Sequence, residues 1–207
     1  MRYRLAIFDL DGTLADSFPW FLRTLPAMAN EFGFRRVADG EIEGLRRLPP
    51  RELLHRLGVP LWKIPPIARR MRRLKADAIA DIPLFTGAEA TLRALAANGV
   101  RLALVSSDNE ANARAQLGDL AGLFSHFACG ASLFGKARKF RRVLRQAGVA
   151  AADAISIGDE IRDIEAARTA GVASGAVAWG YADPAALADA RPDHMFATMK
   201  DIPARLT

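Results

Sequence analysis

Cysteine is nearly absent from this chain. Cys129 is the only one in 207 residues, so no intrachain disulfide framework can form. Histidine is scarce as well: His55, His126 and His194 stand far apart, and no two have the spacing of a metal site. No apolar run approaches the roughly 20 residues that a membrane-crossing helix needs. The first apolar run starts at Leu5, which leaves no room for a signal peptide, and a cytoplasmic protein is expected. There is no internal repeat and no low-complexity tract. What is present is ordinary globular material, 51% hydrophobic and 25% charged. The length suits one domain, or one core with a modest insertion. Cys129 is expected as a small core residue of a short strand.

The net charge of +6 is spread unevenly. Residues 15–84 hold 13 Lys/Arg against 8 Asp/Glu, a balance of +5, and the remainder of the chain is nearly neutral at +1. Arg35-Arg36, Arg46-Arg47, Arg69-Arg70 and Arg72-Arg73 carry this excess. Nucleic-acid binding is one meaning of such clusters. They lack interleaved aromatics, glycine-rich loops and zinc spacing, so solvated helix faces are the expectation. A field that attracts small anionic substrates is a third reading.

The hydrophobic pattern divides the chain in two. After the run Leu5-Ala6-Ile7-Phe8 comes a stretch of helical periodicity, from about 17 to 80, in which Phe18, Phe21, Leu22 and Leu25 recur at helical spacing. Pro49-Pro50, Gly58, Pro60 and Pro65-Pro66 divide it into about four helices. From Pro83 onward strands and helices alternate. Helices are expected over 87–98, 110–117, 136–147, 161–170 and 184–190. Strands are expected over 101–105, near 127–129, over 154–157 and 173–178, and near 194–196. Alternation of this kind implies a mostly parallel, Rossmann-like α/β sheet with helices on both faces.

Open α/β sheets place their chemistry at the carboxyl ends of the strands. Asp9-Leu10-Asp11-Gly12-Thr13 lies at such an end. Side chains on a strand alternate faces, so Asp11 must sit where the strand gives way to a loop, and Gly12 supplies freedom for that loop. One carboxylate can attack as a nucleophile and its neighbour can move protons. Adjacent like charges also need a cation or a shared proton. Three further segments occupy equivalent positions. Ser106-Ser107-Asp108-Asn109 follows the strand over 101–105 and offers hydroxyls and free N–H groups to a phosphate oxygen, or simply a helix N-cap by Ser or Asp. Lys136 follows Phe134-Gly135 and opens a helix, where a cation opposes the macrodipole unless an anion is near. Lys139 lies one turn on. Gly158-Asp159-Glu160-Ile161-Arg162-Asp163 ends another apolar strand. Asp159 and Asp163, with Asp9 and Asp11, could supply oxygen ligands to a hard divalent ion, and Mg²⁺ fits a phosphoryl site.

These four segments, in this order, resemble the four motifs of the haloacid dehalogenase superfamily of phosphohydrolases, from Arg4 to about Pro203. The helical insertion resembles that family's C1 cap. Asp16-Ser17 completes a DGTLxDS run, and Trp179-Gly180-Tyr181 followed by Pro184 resembles the phosphoglycolate phosphatase-like branch. The resemblance implies a core of residues 1–14 and 83–207 and a cap of 15–82. It implies that Asp9 forms an aspartyl-phosphate and that Asp11 protonates the leaving alcohol and then activates water. Ser106 would hold a phosphoryl oxygen and Lys136 would neutralise charge near Asp9. Mg²⁺ would be held by Asp9, Asp11 (through its backbone carbonyl) and Asp159, with Asp163 supporting that shell. Gly12, Thr13 and Ser107 are assigned to the substrate, together with Arg51, which follows Pro49-Pro50 at a helix start.

Two departures from the family pattern bear on the expectation. Lys136-Ala137-Arg138-Lys139 lacks the proline that commonly follows this lysine, which keeps Lys139 as an alternative. Leu45-Arg46-Arg47-Leu48-Pro49-Pro50-Arg51 lacks the glycine that many relatives carry in the substrate-facing cap segment. The expectation is a Mg²⁺-dependent phosphatase of a small phosphorylated metabolite, monomer or homodimer, with no membrane partner and no nucleic acid. A phosphomutase and a non-catalytic, nucleic-acid-binding member are the alternatives. A phosphonate hydrolase would need a cap lysine at the substrate, and neither Lys63 nor Lys75 sits in a recognisable context.

Overall fold

Four buried apolar residues, Leu5–Phe8, form β1 at the centre of a sheet in a computed structural model that describes residues 3–130 and 135–206. Phe134, expected to lead into the helix at Lys136, lies outside the described residues. A helical segment follows β1: α1 (Phe18–Phe32), α2 (Ile42–Leu45), α3 (Pro50–Arg56) and α4 (Ile64–Ala78). The chain then alternates through α5 (Ala88–Ala97), β2 (Arg101–Val105), α6 (Glu110–Leu117), β3 (Phe124–Ala128) and α7 (Lys136–Ala147). β4 (Ala154–Gly158), α8 (Ile161–Ala170), β5 (Ala173–Val177), α9 (Pro184–Asp189), β6 (His194–Phe196) and α10 (Asp201–Leu206) complete it.

The strand order is β3-β2-β1-β4-β5-β6, and every pairing is parallel. Phe8 stands opposite Leu104 of β2 and Ile157 of β4, so three strands end side by side. Alternation by two assigns their side chains to opposite faces. Ala6, Phe8, Leu102, Leu104, Ile155 and Ile157 join one apolar cluster with residues of α5, α6 and α10. Leu5, Ile7, Ala103, Val105 and Ala154 join a second with α7 and α8. Both faces of a parallel sheet must be covered, which is why these strands read as unbroken apolar runs. The chain moves outward from β1 to β3 and then returns to β4 on β1's other side. That reversal opens a crevice at the carboxyl ends of β1 and β4.

The chain crosses into and out of the helical segment side by side. Asp16 N–H donates to Pro83 O at 2.9 Å and Phe85 N–H donates to Leu14 O at 2.9 Å. Within the segment, Arg70 pairs with Glu31 at 3.1 Å, and Lys63 donates to Phe32 O at 2.7 Å, fastening α4 and the turn before it to α1. Arg35 pairs with Glu41, Arg46 with Glu43 and Arg47 with Asp183, so each of these basic residues faces a carboxylate. No helix among the described residues is long and apolar enough to cross a membrane.

Three expectations about elements are corrected. The strand placed near 127–129 is Phe124–Ala128. It is the sheet edge, where Ser125 is exposed and His126 half-buried, and both break the apolar pattern. Cys129 lies just beyond that strand and is half-buried rather than in the core. The chain does not end on β6, because Asp201–Leu206 adds a short helix that buries Ile202 and Leu206 against the first cluster.

Candidate active site

The loop after β1 sets the direction of both first-motif carboxylates. Leu10 O accepts from Leu14 N–H at 2.8 Å and from Ala15 N–H at 2.9 Å, a single tight turn that separates Asp11 from the line of the strand. Asp9 stays in the crevice at 6% exposure, and its Oδ1 accepts from Leu10 N–H at 2.8 Å. Asp11 points to the other side of the loop, toward the helical segment, with its side chain 27% exposed.

Lys136 reaches back from the start of α7 and places Nζ 2.5 Å from Asp9 Oδ2 while also contacting Asp163 Oδ1. Burial works against its ammonium, but Asp163 and then Asp9 outweigh that and hold its pKa above the usual lysine value. The anion that a cation at this helix start requires is therefore present twice. Lys139 serves elsewhere: its Nζ donates to Ser106 O at 2.7 Å and to Gly130 O at 2.5 Å, bracing the loop after β2. Burial, then the charge of Lys136, lowers its pKa to about 8.

Asp159, at the end of β4, is fully buried. Thr13 Oγ1–H donates to its Oδ1 at 2.7 Å and Tyr181 N–H donates to its Oδ2 at 2.8 Å. Gly12 and Gly180 make this approach possible. A Cβ on Gly12 would lie 2.1 Å from Asp159 Oδ2, and one on Gly180 would lie 2.1 Å from Asp159 Cβ. Asp163, buried at the start of α8, accepts from Glu160 N–H at 3.1 Å. One oxygen from each of Asp9, Asp159 and Asp163 lies within 4.8 Å of the others. Burial first, then the charges of Glu160, Asp9 and Asp163, push the Asp159 carboxyl well above the usual carboxylate range. Clustered hard oxygen donors in a cradle that excludes a Cβ fit a hard divalent cation, which would offset that repulsion. Asp163 belongs to this cluster by geometry, whereas the Asp11 carboxylate is turned away from it.

The remaining expected residues divide. Ser106 is buried and its Oγ accepts from Asp108 N–H at 3.0 Å. Ser107 is exposed and lines a cavity shared with Asp11. Asn109, rather than Ser or Asp, caps α6 by accepting from Asn112 N–H at 2.8 Å. Arg51 lies on the exposed side of α3 and is not part of that cavity's lining.

Sequence reasoning missed Lys75. In the last turn of α4, its Nζ lies 2.6 Å from Asp11 Oδ1 and 3.0 Å from Asp108 Oδ2, with only 4% of the side chain exposed. Burial disfavours its ammonium, but Asp11 and Asp108 outweigh that and raise its pKa. The signal was available: Lys75 sits four residues after Met71, on the apolar stripe of its helix, where a lysine needs a buried anion. Asn112 Nδ2–H donates to Arg72 O at 2.8 Å beside it, a second tie between α4 and the core. On the other side of the cavity, Arg46 Nε donates to Tyr181 O at 2.8 Å and a terminal nitrogen donates to Gly180 O at 3.0 Å. Tyr181 packs its ring on Phe18 and Phe21 and shares a 3.0 Å hydrogen bond with Ser17.

Residues 6–177 match the family described as haloacid dehalogenase-like hydrolase. Over 198 residues, 95% of this chain and 93% of the relative, the sequence is 32% identical to a phosphoglycolate phosphatase of Synechococcus elongatus. It is 33% identical over 192 residues to a phosphoglycolate phosphatase of Agrobacterium fabrum, covering 86% of this chain and 82% of that one. A solved haloacid dehalogenase-like family protein of Streptococcus pneumoniae superposes with a TM-score of 0.81 at 23% identity, over 100% of this chain and 99% of that one. With its parallel sheet, helical insertion and buried aspartate cluster, this chain belongs to the haloacid dehalogenase-like hydrolases, in their phosphoglycolate phosphatase-like branch.

Proposed function

We propose that this hydrolase is a Mg²⁺-dependent phosphomonoesterase acting on a small phosphorylated metabolite through an aspartyl-phosphate on Asp9. The observation that carries this reading is the pairing of Asp9 with Lys136 at 2.5 Å, in the same crevice as the three-carboxylate cluster. An Asp9 oxygen attacks phosphorus as the bond to the leaving alcohol breaks, and Asp11 gives that alcohol its proton. Asp11 then takes a proton from the water that attacks the aspartyl-phosphate, releasing phosphate and restoring Asp9. Lys136 offsets negative charge around the transferring group, and Ser106 lies at the end of β2 to hold one of its oxygens. Asp9 and Asp159, with Asp163 in support, would hold Mg²⁺, which supplies further positive charge against the phosphoryl oxygens. Residues 15–82 act as the cap over a core of 1–14 and 83–207, excluding water from the crevice.

Lys75 touches the site, as a phosphonate hydrolase would require of a cap lysine. An amine that condenses with a carbonyl must first lose its proton, and a lysine held between two carboxylates keeps it. Hydrolysis of a phosphate ester is the better supported reading. The relatives' names make phosphoglycolate the first compound to assay. Asp9→Asn is nearly isosteric but a poor nucleophile, so Mg²⁺-dependent phosphate release should vanish while the circular dichroism spectrum is retained. Near-normal turnover by that variant would refute the covalent route.

A further inference from the structure

Beyond Asp11 the crevice opens into a cavity of about 400 Å³ between the core and the helical segment. Its charged members are Asp11, Asp108, Glu160 and Arg162 from the core and Arg46, Arg72 and Lys75 from the helical segment, with Lys75 bridging Asp11 and Asp108. The rest of the side built by the helical segment is apolar. Phe18 and Leu25 of α1, Leu54 of α3, and Ala68 and Met71 of α4 are among the many apolar side chains there. The Arg46 guanidinium reaches this wall already engaged by two backbone carbonyls and Glu43.

The positions of the two aspartates give the cavity a direction. Asp9 attacks phosphorus from the crevice and does not line the cavity, whereas Asp11, which must reach the leaving oxygen, does. The body of the leaving alcohol therefore extends past Asp11 into the apolar chamber. Resting on the phosphatase reading, we propose that the substrate is a phosphomonoester of an apolar alcohol, an alkyl or aryl phosphate whose hydrocarbon fills the chamber under the cap. The reaction stays balanced as before: the P–O bond to the hydrocarbon alcohol breaks, a bond forms from Asp9 to phosphorus, and Asp11 supplies the alcohol's proton. Glycolate would leave most of this volume unfilled. Cavities of roughly 300–1,000 Å³ enclose ligands of drug size. Apolar lining gains nothing from a carboxylate and stabilises each buried methylene by an amount worth about fourfold in affinity.

The competing chemistry has a marker of its own. Arg72, one turn before Lys75, is half-buried in the cavity wall and forms no ion pair with a described residue. A leaving group that carries a carboxylate would use it.

The test is kcat/KM for phosphoglycolate, propyl phosphate, hexyl phosphate and 1-naphthyl phosphate, measured on the full chain with excess Mg²⁺. The expected result is a rise of about fourfold per methylene along the alkyl series, with hexyl and naphthyl phosphates more than tenfold above phosphoglycolate. Ala68→Trp, which fills the chamber, should bring the hexyl-to-propyl ratio toward one. Should that variant fold poorly, Met71→Gln, close in size but polar, should lower the same ratio severalfold. A flat alkyl series overturns the proposal and leaves the phosphatase reading standing. A tenfold preference for phosphoglycolate that Arg72→Met abolishes does the same. No Mg²⁺-dependent release from any of the four compounds overturns both.

Discussion

Alanine at position 12 meets two penalties where alanine at position 99 meets one. Gly12 and Gly99 share the same backbone angle, φ +77°, in the left-handed region. Forcing an L residue into it costs about 1–2 kcal/mol. At Gly99 the added Cβ has open space. At Gly12 it would stand 2.1 Å from Asp159 Oδ2 and 2.5 Å from Tyr181 Cδ1, so Asp159, the ring or the loop must move. Overpacking of this kind adds about 1–3 kcal/mol. The gain from a stiffer unfolded chain is common to both substitutions and cancels in the comparison. Gly12→Ala should therefore lose about 1–3 kcal/mol more than Gly99→Ala, which at this chain length is roughly 2–4 °C in Tm per kcal/mol. Urea unfolding followed by tryptophan fluorescence reads the difference, because the Trp179 indole N–H donates to Thr13 O beside Gly12. Gly12→Ala should also lose Mg²⁺-dependent activity while Gly99→Ala keeps it, since only the first displaces Asp159. Equal unfolding midpoints for the two variants, or full activity in Gly12→Ala, would refute the close-approach argument.

Asp159→Ala should lose much of the Mg²⁺-induced rise in melting temperature, because one of three clustered carboxylates is gone. The native chain should gain about 2.7 kcal/mol at Mg²⁺ a hundredfold above its Kd, and an equal gain in the variant would remove Asp159 from the ligand set. Lys75→Met leaves Asp11 and Asp108 without their shared cation and should cost about 3–5 kcal/mol. Adding Asp108→Asn should recover more than about 1 kcal/mol, and a double variant no better than the single would show that the Asp108 pairing contributes nothing. Burial, then the charge of Glu110, pushes the Cys129 thiol from 9.0 up to about 11. Below pH 9 the folded chain should therefore react with a thiol reagent about a hundredfold more slowly than the urea-unfolded chain. The raised value favours the folded state fully below pH 9 and ceases to do so as pH rises through 11. Equal rates in the two states would contradict the burial.

What was legible from sequence was what local chemistry and chain order determine. Apolar runs that end in Asp9, Ser106 and Asp159 read as strands because a doubly covered parallel strand is apolar along its length. Their endings read as a site because such sheets concentrate chemistry at one edge. Lys136 could be placed near an anion because a cation at a helix start needs one. Edge strand β3 was misread for the complementary reason: a strand with one neighbour tolerates Ser125 and His126, and the pattern weakens.

Tertiary structure alone decided what depends on how the helical segment lies on the core. Whether Lys136 or Lys139 reaches Asp9 is a matter of helix orientation, and composition is the same either way. Arg51 and Lys75 are both basic residues of that segment, but only the docking of α4 carries Lys75 to Asp11, while α3 holds Arg51 on the exposed side. The chamber past Asp11 has no sequence signature, because its leucines and phenylalanines carry the same helical periodicity whether they pack solidly or leave a cavity. Periodicity specifies which face of a helix is apolar, and only the distance between two such faces determines whether there is room between them for a substrate.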